Sequence, residues 1–172
     1  VTSDLQLLDA LDGQVEKINL EIASIAVDQE NVKLLMTMPG IDYYAAMVIA
    51  SEIGDVTRFP SAKNLVSWTG LAPSIHQSGS RIKRGRITKQ GSRTLRWILI
   101  QATHNACRND ERLRSLFERV AHRRGENKAT VAVAREMLVI AYYMLTRKEP
   151  YRGVDDELYR SKLKRLEKLG NN

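Results

Sequence analysis

Hydrophobic positions near the start of the chain recur at alternating spacings of three and four residues, which is the heptad pattern of a coiled coil. The repeat occupies Leu8, Leu11, Val15, Ile18, Ile22, Ile25, Gln29 and Val32. A helix over residues 8–32 would be about 36 Å long, more than a compact domain of this size needs. We therefore predict a coiled-coil helix that joins copies of the chain into a homo-oligomer. The alternative is a helix that lies across its own domain.

Helical periodicity continues in shorter segments that are separated by breaks. Pro39 and Gly40 predict a tight hairpin. The later patterns predict helices over 43–53, 62–69, 92–106, 110–124, 127–147 and 155–168. Ser92, Asp110 and Asn127 are the predicted N-caps of three of them, and Gly54 is a predicted helix stop. The helix over 127–147 is apolar on almost every side, so we predict that it is the central buried element.

Residues 71–91 show no usable periodicity, and we predict a long loop there. Loops of this length are usually functional or disordered. No segment resembles a run of alternating strands. The predicted fold class is all-α: an N-terminal coiled-coil helix, then a helix-hairpin-helix-like helical domain with a long basic loop. The predicted divisions are the end of a coiled-coil segment at 1–34, the helical domain at 35–150 and a charged C-terminal helix at 151–172.

Charge is strongly segregated along the chain, although the net value of +7 on 172 residues is modest. Residues 1–55 hold ten acidic and two basic residues, a net of −8. Residues 56–109 hold ten basic residues and no acidic one, and residues 110–172 have a net of +5. A basic block of this kind indicates a polyanionic partner.

Other features of the sequence exclude several classes of protein. Cys107 is the single cysteine, which leaves no disulfide framework and fits a reducing compartment. The longest apolar stretch, 131–145, is interrupted by Arg135 and Glu136 and is shorter than the ~20 residues of a membrane span, so we predict no membrane partner. The three histidines do not have the spacing of metal ligands, and no Walker A loop occurs, so neither a metal site nor nucleotide hydrolysis is predicted.

The sequence MPGID at 38–42 joins two predicted helices. Free backbone N–H groups at the start of the second helix can bind a phosphate, so Gly40 is a predicted nucleic-acid contact in a helix-hairpin-helix arrangement. Asp42 stands where such hairpins usually carry a second glycine, and its charge would repel a phosphate. The alternative is an ordinary turn between antiparallel helices.

The segment 74–96 contains seven basic residues and no acidic one, and it is the strongest candidate for a nucleic-acid contact. A solvated basic loop is the alternative. Ser78 is a candidate nucleophile toward a phosphodiester, because nearby cations stabilise the charge that develops at phosphorus. From the residues alone, Ser74 and Ser80 are equal candidates, and His76 is the nearest candidate base. The predicted nucleic-acid contacts of the segment are Gly79, Arg81, Lys83, Arg84, Arg86, Lys89, Arg93 and Arg96.

Five motifs between residues 38 and 106 together resemble the C-terminal domain of the IS110 family of insertion-sequence transposases, which are relatives of the Piv-type DNA invertases. They are PGI, EIGD with RF at 52–59, GLAP at 70–73, QSG at 77–79 and TKQGSRTLR at 88–96. The resemblance implies a DNA transposase or site-specific recombinase in which the serine of the SG motif, Ser78, forms a covalent link to DNA. It also implies an oligomer with DNA and a guide RNA as partners.

The same resemblance implies an N-terminal RuvC-like domain whose four acidic residues bind magnesium and have no counterpart in this chain. We therefore expect a fragment that begins within the coiled coil, has no cofactor of its own and binds nucleic acid without recombining it. The implied location is the prokaryotic cytoplasm, on the nucleoid. Two other hypotheses stay open: a non-catalytic helix-hairpin-helix module that grips duplex DNA, and a coiled-coil oligomerisation element.

Overall fold

The computed structural model describes residues 2–78 and 81–170, with side chains over 4–74 and 85–170. In that part of the chain there are eight α-helices and one two-stranded sheet, which confirms the all-α class. The helices are α1 (Thr2–Ala26), α2 (Glu30–Met36), α3 (Tyr43–Ile53), α4 (Ala62–Trp68), α5 (Arg93–Asn109), α6 (Glu111–Arg124), α7 (Glu126–Arg147) and α8 (Asp156–Gly170). The strands are β1 (Pro73–Ser78) and β2 (Arg81–Ile87), and a 3-10 turn at Val56–Arg58 precedes α4.

Helix α7 is the central element, as predicted. It packs against α2, α4, α5 and α6, and its buried side chains include Val133, Met137 and Leu138. By length and composition α7 is long and apolar enough to cross a membrane, which corrects the expectation drawn from the shorter stretch 131–145. Half of its 18-residue apolar window is buried inside the protein, which is typical of a core helix as well.

Helix α1 ends at Ala26, so the prediction of one helix through residue 32 is wrong. The Gln29 N–H donates to the Ala26 carbonyl at 3.1 Å, and α2 begins at the following residue. Val32, the last position of the heptad pattern, is fully buried in the core. The spacing of three and four residues continues without interruption across this turn, so periodicity alone does not reveal it.

Local capping explains where most of the other helices begin and end. The side chains of Ser92 and Asp110 each accept a backbone N–H three residues later, at 2.9 and 2.8 Å, which confirms both predicted N-caps. Gly54 ends α3 with a φ of 59°, as predicted. The cap predicted at Asn127 is wrong, because Gly125 with a φ of 84° both ends α6 and precedes the first residue of α7.

Residues 73–78 and 81–87 form two paired antiparallel strands, which corrects the prediction of a long loop over 71–91. Most residues of β1 and β2 are polar or basic. The alternation of apolar and polar residues that marks a half-buried strand is therefore missing, although the main chains of the two strands pair. We call residues 73–87 the basic hairpin.

Candidate nucleic-acid interface

The basic hairpin places Ser78 next to a basic residue on the opposite strand. Ser78 is the last residue of β1, and its backbone is paired with Arg81, the first residue of β2. Lys83, Arg84 and Arg86 follow on the same strand, so β1 and β2 contain the predicted nucleophile and four predicted basic contacts. The side chains of Ser78, Arg81, Lys83 and Arg84 lie outside the described part of the chain, as does Gly79 entirely. Their predicted roles stay predictions.

A bulge bends the ribbon near the start of β1, where the strand register shifts by one residue. Gly85 lies beside this shift, in β2. A Cβ atom on Gly85 would clash with the Oγ of Ser74 on the opposite strand. Gly85 therefore lets the two strands approach closely at the bulge.

The two ends of the basic hairpin meet in a segment that we call the hairpin base, residues 68–72 and 88–91. There the Lys89 N–H donates to the Gly70 carbonyl at 3.1 Å. A Cβ atom on Gly70 would clash with the backbone of Gln90, and one on Gly91 would clash with the Trp68 carbonyl. Both glycines also have positive φ angles, 72° and 99°. The glycines of the GLAP and TKQG motifs are thus required by backbone packing.

Arg96 connects the hairpin base to α5. Its Nη1 donates to the Thr69 carbonyl at 2.7 Å and to the Gly91 carbonyl at 3.1 Å. The predicted role of Arg96 as a nucleic-acid contact stays a prediction, but the structure places its guanidinium on two protein carbonyls. The basic hairpin and α5 are therefore held together through this side chain.

Exposed cations surround the place where the basic hairpin joins α5. Arg86, Lys89 and Arg93 all have exposed side chains. Helix N-termini usually favour acidic residues, because the macrodipole is positive there. The first turn of α5 has none and carries Arg93 and Arg96 instead. The positive end of the helix and these side chains together make this surface attractive to an anion.

Two exposed aromatic rings lie at or near the hairpin base. The sequence pattern did not indicate them as candidate site residues. Trp97 is 50% exposed and Trp68 is 36% exposed, and they are the two tryptophans of the chain. The Arg58 guanidinium lies 4.7 Å from the Trp68 ring centroid and 4.6 Å from that of Phe59. The available signal for Trp97 was its position one helical turn after Arg93 and one turn before Gln101, on the polar side of α5. Exposed aromatic rings beside cations are typical of surfaces that stack on nucleic-acid bases.

The turn after α2 faces the protein interior. Gly40 has a φ of 75°, and a Cβ atom there would lie 2.6 Å from the Ala102 carbonyl oxygen and 2.6 Å from the Ala106 nitrogen, both in α5. Met38 and Ile41 on either side of it are fully buried. The close approach that Gly40 permits is therefore made to α5. A role of Gly40 in nucleic-acid binding stays a prediction.

Helix α8 and the chain before it hold the other side of the same turn. The Lys162 Nζ donates to the Met36 carbonyl at 2.8 Å and to the Met38 carbonyl at 2.9 Å. Burial lowers the pKa of Lys162 to about 8. The Thr37 Oγ1 accepts the Tyr151 N–H at 2.9 Å. Protein groups thus occupy the carbonyls and the hydroxyl of this turn.

Asp42 caps the helix that follows the turn. Its side chain is exposed, and its Oδ1 accepts the Ala45 N–H at 2.8 Å, so one of the free donors of α3 is already bonded. A phosphate at this helix end would compete with the carboxylate and be repelled by it. The geometry therefore favours an ordinary structural turn over a phosphate-binding hairpin.

Among residues 2–78 and 81–170, no group of three or more His, Cys, Asp or Glu side chains could hold a metal ion. The described residues therefore do not fit the magnesium site that the family resemblance implies.

Comparison with known proteins shows which family the chain is similar to. The family model described as Transposase IS116/IS110/IS902 family matches residues 32–118. The chain is 32% identical over 136 residues to the transposase for insertion sequence element IS1111A of Coxiella burnetii, covering 77% of the chain and 37% of that protein. It is 28% identical over 137 residues to the IS1328 transposase of Yersinia enterocolitica, covering 77% and 41%. It is 32% identical over 121 residues to the pilin gene-inverting protein of Moraxella bovis, covering 69% and 38%.

The chain spans about two fifths of the length of these relatives, between 37% and 41%. The matched residues, 32–118, run from α2 into α6 and include the inward-facing turn, the basic hairpin, the hairpin base and α5. They make up half of the chain. On this match, the chain belongs to the IS116/IS110/IS902 transposase family.

Proposed function

We propose that this chain is the nucleic-acid-binding part of a DNA transposase or site-specific recombinase, in which the basic hairpin contacts DNA and Ser78 forms a covalent link to it. The observation that carries the proposal is the pairing of Ser78 with Arg81 in a ribbon whose flanking residues, 56–109, contain no acidic side chain. The names of these relatives refer to transposition and to pilin gene inversion. The same kind of DNA chemistry is our proposal for this chain.

In the proposed step, the Ser78 hydroxyl oxygen bonds to phosphorus and the bond from phosphorus to one deoxyribose oxygen breaks. The proton that the serine loses ends on the leaving oxygen. The phosphoserine link preserves a phosphate ester, so a deoxyribose hydroxyl of another strand can reverse the step and join to the phosphate. Cations beside the serine lower the energy of the charge that develops at phosphorus.

The non-catalytic helix-hairpin-helix hypothesis has less support. Its phosphate contact would be the turn at 37–41, which packs against α5 around Gly40 and is bonded by Lys162 of α8. A two-stranded ribbon, by contrast, fits a DNA major groove of about 12 Å. We therefore propose the basic hairpin as the main DNA contact.

Replacing both Arg86 and Lys89 with glutamine tests the DNA contact. We expect duplex affinity to fall roughly tenfold to a hundredfold at about 0.1 M salt, because each neutralised phosphate contributes through counterion release. The slope of log affinity against log salt concentration is expected to fall by about 2. Fluorescence anisotropy with a labelled duplex at several salt concentrations measures both quantities.

The matched control replaces Arg123 and Arg124, two exposed residues at the end of α6, with glutamine. This control changes the net charge by the same amount, and its salt slope is expected to stay close to that of the wild type. Equal losses in the two double variants would mean that net charge alone drives binding, and the proposed role of the basic hairpin would then be wrong.

We also propose that α1 joins copies of the chain into a homo-oligomer. The side chains of the first four positions of its heptad pattern have exposed fractions of 52–55%. Nearer the other end of the helix, Ala23 and Ala26 are buried, and α1 packs against α8. A row of exposed apolar side chains on a long helix is stabilised when a second helix covers it. The exposed members of the row are Leu8, Leu11, Val15, Ile18 and Ile25.

Substitution of Leu11 and Ile18 with glutamate is expected to weaken self-association roughly tenfold to a hundredfold, because a charge replaces each apolar contact. Sedimentation equilibrium at several protein concentrations measures the change. The control places glutamate at Gln6 and Ala10, which are exposed but lie off the heptad row, and it should associate like the wild type. A wild-type chain that stays monomeric at every concentration would contradict the proposal.

The proposal also includes features that rest on family membership and resemblance alone. They are a guide RNA as a second partner, a cytoplasmic location on the prokaryotic nucleoid, and a need for magnesium bound by the acidic residues of a RuvC-like domain. None of the steps above uses the metal, because the described residues do not fit its site.

A further inference from the structure

We infer that the exposed face of α5 binds unpaired nucleotides, with Trp97 stacking on a base. The inference rests on the proposed nucleic-acid binding and adds a second contact surface to the basic hairpin, with a preference for single strands. We call this surface the α5 strip. It consists of Arg93, Trp97, Gln101, His104 and Arg108, all of which are exposed.

Helical geometry places the α5 strip on one side of the helix. At about 100° per residue, its five members fall within an arc of about 80° that has Trp97 at its centre. The opposite side of α5 is buried through Leu95, Leu99 and Ala106, and the helix packs against α3, α6 and α7. From Arg93 to Arg108 the strip is about 22 Å long, the length of about six stacked nucleotides at 3.4 Å each.

The chemistry of the α5 strip matches a nucleic-acid strand. Arginines stand at its two ends, an aromatic ring and an amide stand between them, and no acidic residue occurs in α5. Guanidinium groups suit phosphates, whereas Gln101 and His104 suit the hydrogen-bonding edges of unpaired bases. The strip therefore offers ionic contacts for the backbone and polar and stacking contacts for the bases.

The exposure of Trp97 favours an unpaired strand over a duplex. Half of its surface is exposed, on a helix face whose other members are polar or charged. A tryptophan stacks on the flat face of a base, and in a duplex neighbouring base pairs cover those faces. The strip offers a single apolar ring among four polar side chains, which is not the contiguous apolar patch that marks many protein-binding surfaces.

The strip is also continuous with the basic hairpin. Arg96, which precedes Trp97, donates to the Thr69 and Gly91 carbonyls of the hairpin base. Lys89 lies in the same hairpin base, where its N–H donates to the Gly70 carbonyl, and both Lys89 and Arg86 have exposed side chains. This continuity gives a single path on which unpaired nucleotides leave the strip and reach the basic hairpin.

Fluorescence of Trp97 tests the inference directly. Trp68→Phe leaves Trp97 as the one tryptophan, and we expect its emission to be quenched by a 12-nucleotide oligo(dT) or oligo(rU) but not by a 12-base-pair duplex. Trp97→Ala in the otherwise unchanged chain is expected to lower single-strand affinity roughly fivefold to a hundredfold, with less than a twofold change for the duplex. Trp97→Phe should restore most of the affinity. Whichever of oligo(dT) and oligo(rU) binds more tightly shows whether the strip prefers DNA or RNA.

Tyr143→Ala provides the matched control, because Tyr143 is an exposed aromatic residue on α7 with an exposed fraction of 45%. The affinity of this variant for all three probes should equal that of the wild type.

Equal losses of single-strand and duplex affinity in Trp97→Ala, or no loss at all, would overturn the inference. Loss of self-association without a change in nucleic-acid affinity would assign the strip to a protein contact and also overturn it. If Arg86 and Lys89 prove necessary for binding while Trp97 does not, only the inference fails; if no probe binds, the proposed function fails with it.

Discussion

Alanine in place of Ser78 is expected to lower DNA strand exchange by the intact transposase at least about a thousandfold, while DNA affinity stays within about twofold of the wild type. In the proposed mechanism, loss of the covalent nucleophile removes the reaction step itself, whereas the cations proposed to bind the phosphates are unchanged. Strand exchange is measured as recombined product from a donor and a target duplex. The covalent intermediate is measured as protein-linked DNA on a denaturing gel, and it should disappear in the variant.

The neighbouring serines provide the controls for this experiment. Ser74→Ala and Ser80→Ala remove hydroxyl groups from the same hairpin, and both variants should retain the protein–DNA link. A variant at Ser80 or Ser74 that loses the link, beside an active Ser78→Ala, would move the nucleophile to that position. Full activity in all three would exclude a serine link in the basic hairpin.

Gly40→Ala is expected to lower the free energy of unfolding by about 3 to 6 kcal/mol. The positive φ of 75° strains any residue with a Cβ atom, and the new atom would lie 2.6 Å from backbone atoms of Ala102 and Ala106. Backbone atoms of a packed helix cannot rotate aside, so the turn at 37–41 would have to move away from α5. Urea denaturation followed by circular dichroism measures the change.

Gly54→Ala separates backbone strain from the packing clash. Gly54 also has a positive φ, 59°, but a Cβ atom there would meet nothing within 4 Å. We expect it to cost about 1 to 3 kcal/mol, and at least about 2 kcal/mol less than Gly40→Ala. If Gly40→Ala instead folds as stably as Gly54→Ala and loses DNA affinity, the turn at 37–41 would be a phosphate contact after all.

Features with a local cause could be predicted from the sequence. A helix that begins at Ser92 needs only the serine hydroxyl and an apolar face, and both are visible within one turn of the chain. A helix that ends before Gly54 needs only a residue that tolerates a positive φ. The central position of α7 followed from side chains that are apolar all round. In each of these cases a few neighbouring residues determine the structure.

Features that depend on distant partners could not be predicted in the same way. The strands of the basic hairpin are defined by the pairing of main-chain groups between 73–78 and 81–87, and their polar side chains leave no apolar periodicity. The end of α1 at Ala26 depends on how α2 packs into the core, because the heptad spacing continues past it. Both errors arose where periodicity was used without knowledge of the packing partner.

The candidate site also combines features that are visible in the sequence with features that depend on distant partners. The acid-free basic block was visible from composition, and it does include the exposed cations around the hairpin base. By contrast, the reasons for the motif glycines appear only in three dimensions, since Gly40 meets α5 and Gly91 meets the Trp68 carbonyl. Trp97 was missed because its exposure depends on which face of α5 the remaining helices cover.

The length of β1 sets the distance between the hairpin base and Ser78. Five residue steps separate Pro73, which directly follows the hairpin base, from Ser78, and they span about 17 Å at 3.3 Å per step. Along a DNA duplex, 17 Å corresponds to about five base pairs, or half of a helical turn. Phosphates gripped at the hairpin base would then face the opposite side of the duplex from the phosphate at Ser78. If Ser78 is the nucleophile and the ribbon lies along the duplex, the ribbon would cross a groove, and the scissile phosphate would be offset by about half a turn from phosphates held at the hairpin base.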